Sequence, residues 1–309
     1  MKRHARNPIL TRRDIPDVSA RVADVSSVFN PAAFKLDGRY YLLLRVQTRG
    51  RETVTMPAVS DDGVAFTVQP RLLPIDGLDV ERLGIFHVYD LRATPIDGEI
   101  HVVFAADTAA GCRLGVARLD GDRLELIGFD DRNDTRNGVL FPEKVGGRYL
   151  RLERPNRTQL ESGVGSGDEI RLAESDDLAV WRPLGPVMQG RPHYWDELIG
   201  SGPPPVKTSE GWLHLYHGVA THFASSNIYQ AGVCLLDLDD PSRVVARGRN
   251  NILEPREPYE LLGQVPNVVF PTGIIVEGDL VRVYYGAADS CVGLAETTVD
   301  ALLDASRLP

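Results

Sequence analysis

One unit recurs along this chain and restricts its fold more than any other feature: an apolar strand, a turn closed by glycine, and a second strand of large residues. It reads AAFKLDGRYYLLLR around Gly38, RATPIDGEIHVVFA around Gly98 and LFPEKVGGRYLRLER around Gly147. It returns as PPPVKTSEGWLHLYH around Gly211 and FPTGIIVEGDLVRVYY around Gly278. Behind each hairpin there is room for one or two more strands, as in CRLGVARLDGDRLELIG, DEIRLAESDDLAVWRP and YQAGVCLLDLDDPSRVV. Short Val-, Ile-, Leu- and Tyr-rich runs between turn signals mark β-strands. A period of roughly 50–65 residues with about four strands per unit is the pattern of a propeller blade. The five units therefore predict an all-β, five-bladed β-propeller, with residues 1–309 as one catalytic domain. A β-sandwich with fortuitous likeness between its hairpins is the alternative.

Composition narrows the function. The hydrophobic fraction of 43% and charged fraction of 25% are those of an ordinary globular protein able to bury its own core. No apolar run is long enough to span a bilayer. The N-terminal stretch MKRHARNPILTRRDIPD is basic but lacks the apolar core of a secretory signal. Cys112, Cys234 and Cys291 are scattered and odd in number, as expected of reduced core thiols in a cytoplasmic protein. A net charge of −9 disfavours nucleic acid as a partner, so an anionic ligand needs a local basic cluster. No metal-ligand spacing occurs; His87, His214 and His222 read as surface or core residues. Homo-oligomerisation is left open.

The register of the repeat singles out polar residues. Eight positions before the turn glycine stand Asn30 in the first unit and Asp90 in the second. Seven positions after it stand Arg45 and Arg154, and six after it His217. Innermost strands of a propeller line its central channel, so equivalent strand ends converge there. Charged groups at the ends of apolar strands are costly unless solvated, paired or used. Inter-blade salt bridges would explain any one of them; a ligand site at one end of the channel explains the set.

These residues suggest a chemistry. Asp90 and Arg92 are two apart and share a strand face, so the arginine flanks the carboxylate. Arg136, Asn137, Arg154, Lys207 and His217 form a basic set able to cradle an oxyanion. An inverting glycosidase needs an acid and a base. With phosphate as nucleophile no base is required, only neutralisation and orientation. One acid opposite a basic cradle thus fits glycoside phosphorolysis better than hydrolysis.

The strings NPAAFKLDGRYYLLLRVQ, VYDLRATPIDG, VLFPEKVGGRYLRLERP, GSGPPPVKTSEGWLHLYHGV, YQAGVCLLDLDDPSRVVARGRNNILEP and VPNVVFPTGIIVEGDLVRVYYGAAD resemble glycoside hydrolase family 130, inverting β-mannoside phosphorylases with a five-bladed propeller. The likeness runs from about Asn7 to Ala295. It implies conversion of a β-1,2- or β-1,4-linked mannoside and inorganic phosphate to α-mannose 1-phosphate and a shortened sugar, with no other cofactor. It also implies Asp90 as the catalytic acid, its proton travelling through a mannose hydroxyl. Arg136, Asn137, Arg154, Lys207, His217 and Tyr229 then take phosphate, while Asn30, Arg45, Arg92 and Asp289 hold mannose. Two departures stand out: Asp90-Leu91-Arg92 where the family writes Asp-Pro-Arg, and Glu153 where many relatives carry histidine. A β-mannosidase using Glu153 or Glu197 to activate water, and a non-catalytic sugar-binding propeller, are the competing readings.

Overall fold

The turn glycines fall where the repeat requires them. In the computed structural model, which describes residues 1–130, 134–159, 165–221 and 226–308, Gly38 and Gly98 adopt φ of 79° and 82°. That left-handed conformation costs glycine little and lets each close a tight hairpin. Gly147, Gly211 and Gly278 likewise lie between the first and second strands of their units. The expected five-bladed propeller is what forms: five sheets arranged as blades.

Each blade begins with an innermost strand. These are Ser27–Leu36, Ile85–Ile96, Thr135–Leu140, Leu198–Ser201 and Val269–Glu277 for blades 1 to 5. The second strands, Arg39–Gln47, Glu99–Thr108, Tyr149–Pro155, Trp212–Ala220 and Leu280–Ala287, pair with them antiparallel. In every blade the first-to-second hairpin marks one end of the channel. The starts of the inner strands mark the other.

The core is divided among the blade interfaces, because each strand buries both faces. In blade 1, Leu42 and Leu44 pack against Tyr284 and Leu294 of blade 5, while Leu43 packs against Leu91 and Val102 of blade 2. Period-two alternation sends neighbours to opposite faces, which is why these strands read as unbroken apolar runs. Blades 2 and 3 meet around Leu114, Leu140 and Trp181, and blades 3 and 4 around Leu152, Trp212 and Tyr216.

The ring closes through its N-terminus. Lys2–Arg3 pairs antiparallel with the strand Cys291–Thr298, giving blade 5 its outer edge. The Arg3 guanidinium donates to both carboxylate oxygens of the fully buried Glu260 at 2.8 Å. Asn7 brackets Leu294, donating to its carbonyl and accepting from its amide. Breaking a buried ion pair on one side strands the other charge. Arg3→Ala should therefore destabilise the protein by about 3 kcal/mol in chemical denaturation; Arg3→Lys should recover part of that loss, and an unchanged midpoint for the alanine variant would refute the clasp.

Candidate active site

Three inner strands carry the same local irregularity, and it aims the site. Directly after the pairs Phe29↔Arg45, Tyr89↔Ala105 and Arg136↔Arg154, one extra residue intervenes in each inner strand. The residue that follows is Asn30, Asp90 or Asn137, with φ of 45°, 52° and 54°. Asn and Asp tolerate the left-handed region better than other side-chain-bearing residues. A bulge of this kind turns a side chain out of the sheet's alternation. Three blades thereby present Asn, Asp and Asn at one level of the channel.

Asp90 is 7% exposed. Its Oδ1 accepts from Asn30 Nδ2 at 2.9 Å and from Arg45 Nη1 at 2.8 Å. Burial alone would raise its pKa, but Arg45, Arg92 and the hydrogen bonds outweigh it and hold the carboxyl below its ordinary value. The Arg45 guanidinium is itself clamped between the rings of Phe29 and Tyr89, 4.6 Å from each centroid. Asp289 lies in the tight turn Ala287–Cys291, where it and Ala288 both have positive φ. Burial lifts its carboxyl to about 6; Arg45 opposes that rise and Asp90 adds to it.

The opposite wall is basic and strained by like charge. Arg136 and Arg154 are direct cross-strand partners, a pairing that repels. Arg136 has relief, because Asp107 Oδ1 lies 3.8 Å from its Nη2 and Tyr89 donates to the same oxygen at 2.7 Å. Its burial cost is outweighed by Tyr89, Cys112 and Asp107, so its pKa rises. Among the described residues Arg154 has only the Ser166 hydroxyl as a side-chain hydrogen-bond partner, at 2.8 Å. Burial first and Arg136 second pull it down to about 9, still protonated at neutral pH. His217 packs 4.5 Å from the Phe270 ring and 6.3 Å from Tyr229. Burial, then Arg154 and Arg92, keep its imidazole neutral.

Several polar atoms here lack protein partners. Among the described residues, Asn30 Oδ1, Arg45 Nε, Arg136 Nε, Asn137 Oδ1, Arg154 Nε and His217 Nδ1 are buried without a hydrogen bond. Buried polar groups are normally paired, and each exception costs about 1–3 kcal/mol. Their concentration at one channel end marks a ligand site. Gly200 keeps it open, since a Cβ there would sit 2.7 Å from Asn137 Oδ1 and 2.3 Å from His217 Cε1.

Two expected ligand groups need correction. Arg92 is 1% exposed and gives its guanidinium to backbone carbonyls, of Asp90 at 2.6 Å, Gly202 at 3.1 Å and Ser201 at 3.4 Å. These bonds join blades 2 and 4, which are not neighbours in the ring, so they cross the channel. Arg92 thus lies on the hairpin side of Asp90, with its guanidinium committed to backbone carbonyls. Lys207 pairs in register with Trp212, whereas His217 pairs with Gly200. Five residues of strand, about 16 Å, separate the two, and Lys207 forms an ion pair with Glu143 instead. The remaining expected residues converge as described, Tyr229 through its contact with His217. His222 lies outside the described residues. Residues that the sequence reading missed include Tyr89, Phe29, Asp107, Ser166 and Phe270. Phe29 and Tyr89 carried a signal, being the aromatic residues immediately before Asn30 and Asp90. Among the described residues no cluster of His, Cys, Asp and Glu is placed to hold a metal, and no helix is long and apolar enough to cross a membrane.

A buried carboxylate near a basic wall at one end of a propeller channel is an arrangement suited to a carbohydrate-active enzyme. The model of glycoside hydrolase family 130, described as β-1,4-mannooligosaccharide phosphorylase, matches residues 1–308, and the chain belongs to that family. It is 31% identical to the β-1,4-mannooligosaccharide phosphorylase of Ruminococcus albus, across 98% of this chain and 89% of that protein. It is 33% identical to the 1,2-β-oligomannan phosphorylase of a Thermoanaerobacter species, across 87% and 89%. The solved structure of Listeria innocua β-1,2-mannobiose phosphorylase with β-1,2-mannobiose superposes with a TM-score of 0.85 at 29% identity, covering 99% and 98% of the two chains.

The opposed arginines generate a test. Arg154→Met should relieve the repulsion and raise the melting temperature in phosphate-free buffer by a few degrees. It should also abolish the stabilisation that saturating phosphate gives the wild type, about 2.7 kcal/mol at one hundred times Kd. Retention of the phosphate-induced shift would remove Arg154 from the cradle.

Proposed function

We propose that this protein is an inverting β-mannoside phosphorylase, using inorganic phosphate to cleave a β-1,2- or β-1,4-linked mannoside into α-mannose 1-phosphate and a shortened sugar. The observation that carries this reading is the basic wall opposite Asp90: two arginines opposed across one strand pair, beside a neutral histidine and an asparagine whose Nδ1 and Oδ1 have no partner among the described residues. A phosphate dianion turns the Arg136–Arg154 repulsion into two charge-assisted contacts. Asn137 and His217 complete the cradle, and Tyr229 borders it. Asn30, Arg45 and Asp289 hold the terminal mannose. No metal or organic cofactor is needed.

The same charges time the acid. In the free protein Arg45, Arg92 and Asn30 hold Asp90 ionised. Phosphate binding neutralises the nearby basic wall and raises the carboxyl's proton affinity, so the acid is loaded when the nucleophile is present. A phosphate oxygen then forms the bond to C1 from the face opposite the aglycone as the glycosidic bond breaks. The Asp90 proton passes to the leaving oxygen, directly or through a mannose hydroxyl. The acidic hydrogen that phosphate loses on esterification restores the carboxyl, so charge and protons balance.

The two carboxylates considered as a base for hydrolysis are engaged elsewhere. Glu153 sits one residue from Arg154 on the same strand and faces the other way, where it is buried and bonded to Arg151 at 2.7 Å and 3.1 Å. Glu197 accepts from the Thr221 hydroxyl at 2.6 Å. Neither carboxylate is set to activate water in the cradle. A purely sugar-binding propeller would have no use for the like-charged wall. The cytoplasm, with its standing phosphate pool, is the compartment that suits the reaction.

Asp90→Asn should lower both phosphorolysis and the reverse synthesis about 10²–10⁴-fold, while Glu197→Gln stays near wild type. Mannose 1-phosphate and free mannose, quantified in parallel, decide the matter: free mannose released at full rate without phosphate overturns phosphorolysis. Asp289 adds a pH dependence. Its carboxyl titrates at about 6, ionised above that value and protonated below it. Calorimetric affinity for a β-mannoside, measured without phosphate, should therefore fall as pH drops through about 6, and Asp289→Asn should flatten the profile. An unchanged pH dependence in that variant would release Asp289 from sugar binding.

A further inference from the structure

Because Arg92 closes the channel beneath Asp90, a sugar chain whose terminal residue reaches Asp90 leaves only towards the starts of the inner strands. On that side blade 2 carries an unusual residue. Phe86 is 64% exposed and is the one aromatic among the large hydrophobic residues that stand exposed in the described chain. It belongs to the same strand as Asp90, four residues nearer the mouth, which is about 13 Å of extended backbone. Pairing jumps from Ile85↔Thr108 to His87↔Asp107, so Phe86 is an extra, bulged residue. Its backbone is fixed from behind by a bonded turn, Leu83 N to Asp79 O and Ile85 N to Val80 O. Beside it are polar groups with capacity to spare. His87 is partly exposed, and the Asp107 side chain remains 37% exposed.

An exposed aromatic ring on a rigid base, flanked by a few hydrogen-bonding groups, is the composition of a sugar platform: the ring meets the C–H face and the polar groups meet hydroxyls. The separation exceeds one pyranose ring. We propose that Phe86, with His87 and Asp107, forms a distal acceptor-side subsite that contacts the second sugar beyond the scissile bond and makes the enzyme favour trisaccharides and longer chains over disaccharides. This inference rests on the phosphorolysis reading above and adds the chain length that the site selects.

The test uses the full-length enzyme with β-mannobiose and β-mannotriose of the linkage that the wild type cleaves. Phe86→Ala should lower kcat/KM for the trisaccharide about tenfold, the worth of one aromatic contact. It should leave the disaccharide and the phosphate KM unchanged, and Phe86→Tyr should restore the trisaccharide rate. A trisaccharide-to-disaccharide ratio equal in wild type and Phe86→Ala, with both active, overturns the subsite while leaving phosphorolysis intact. Wild-type enzyme that yields no mannose 1-phosphate from either substrate sinks the phosphorolysis reading and this subsite with it.

Discussion

The left-handed bulge shared by three inner strands is the constraint on which the site depends. Regular alternation would send Asp90 either into a blade interface or onto the backbone of its neighbour. One extra residue at φ 52° turns it into the channel instead, and the equivalent bulges bring Asn30 and Asn137 to the same depth. Asn30 then donates to Asp90 across the boundary between blades 1 and 2. The local strain of each bulge is supported by the apolar contacts on both faces of its blade.

Charge is partitioned around these bulges rather than balanced pair by pair. Asp90 and Asp289 share Arg45 and diverge, one carboxyl held low and the other raised to about 6. Environments that push two carboxyls apart assign them different work. Across the channel, among the described residues, Arg136 has Asp107 and Tyr89 while Arg154 has a single serine. An anion bound between the two arginines would resolve that asymmetry. Arg92 belongs to a different economy, giving its charge to carbonyls and closing the channel so that sugar can approach from one end only.

Much of this was legible in the repeat. Counting from Gly38 and Gly98 reaches Asn30 and Asp90 because those two hairpins have equal length. The same count from Gly147 lands on Val139, since the third hairpin is longer between Leu140 and Tyr149. The equivalence of Asn137 therefore stayed hidden until the bulges aligned it. Arg45, Arg154 and His217 were found because the second strands keep their length after the turn. Lys207 and Arg92 were misread for one reason: each lies near a site residue in sequence, and nearness along a strand says nothing about which end or which side of the channel a side chain reaches.

The sequence by itself determined the number of blades, the apolar faces between them and the residue types able to handle a sugar and an anion. These follow from local periodicity and turn chemistry, which are written residue by residue. Tertiary structure alone decided which of those residues meet. Arg154 faces the cradle and Glu153 the blade interface, although they are adjacent, because strand alternation has no absolute origin until neighbouring blades bury one face. Asp289, His217 and Asp90 come together because the Lys2–Arg3 strand closes a ring of five blades, and ring closure is a property of the whole chain that no single segment encodes.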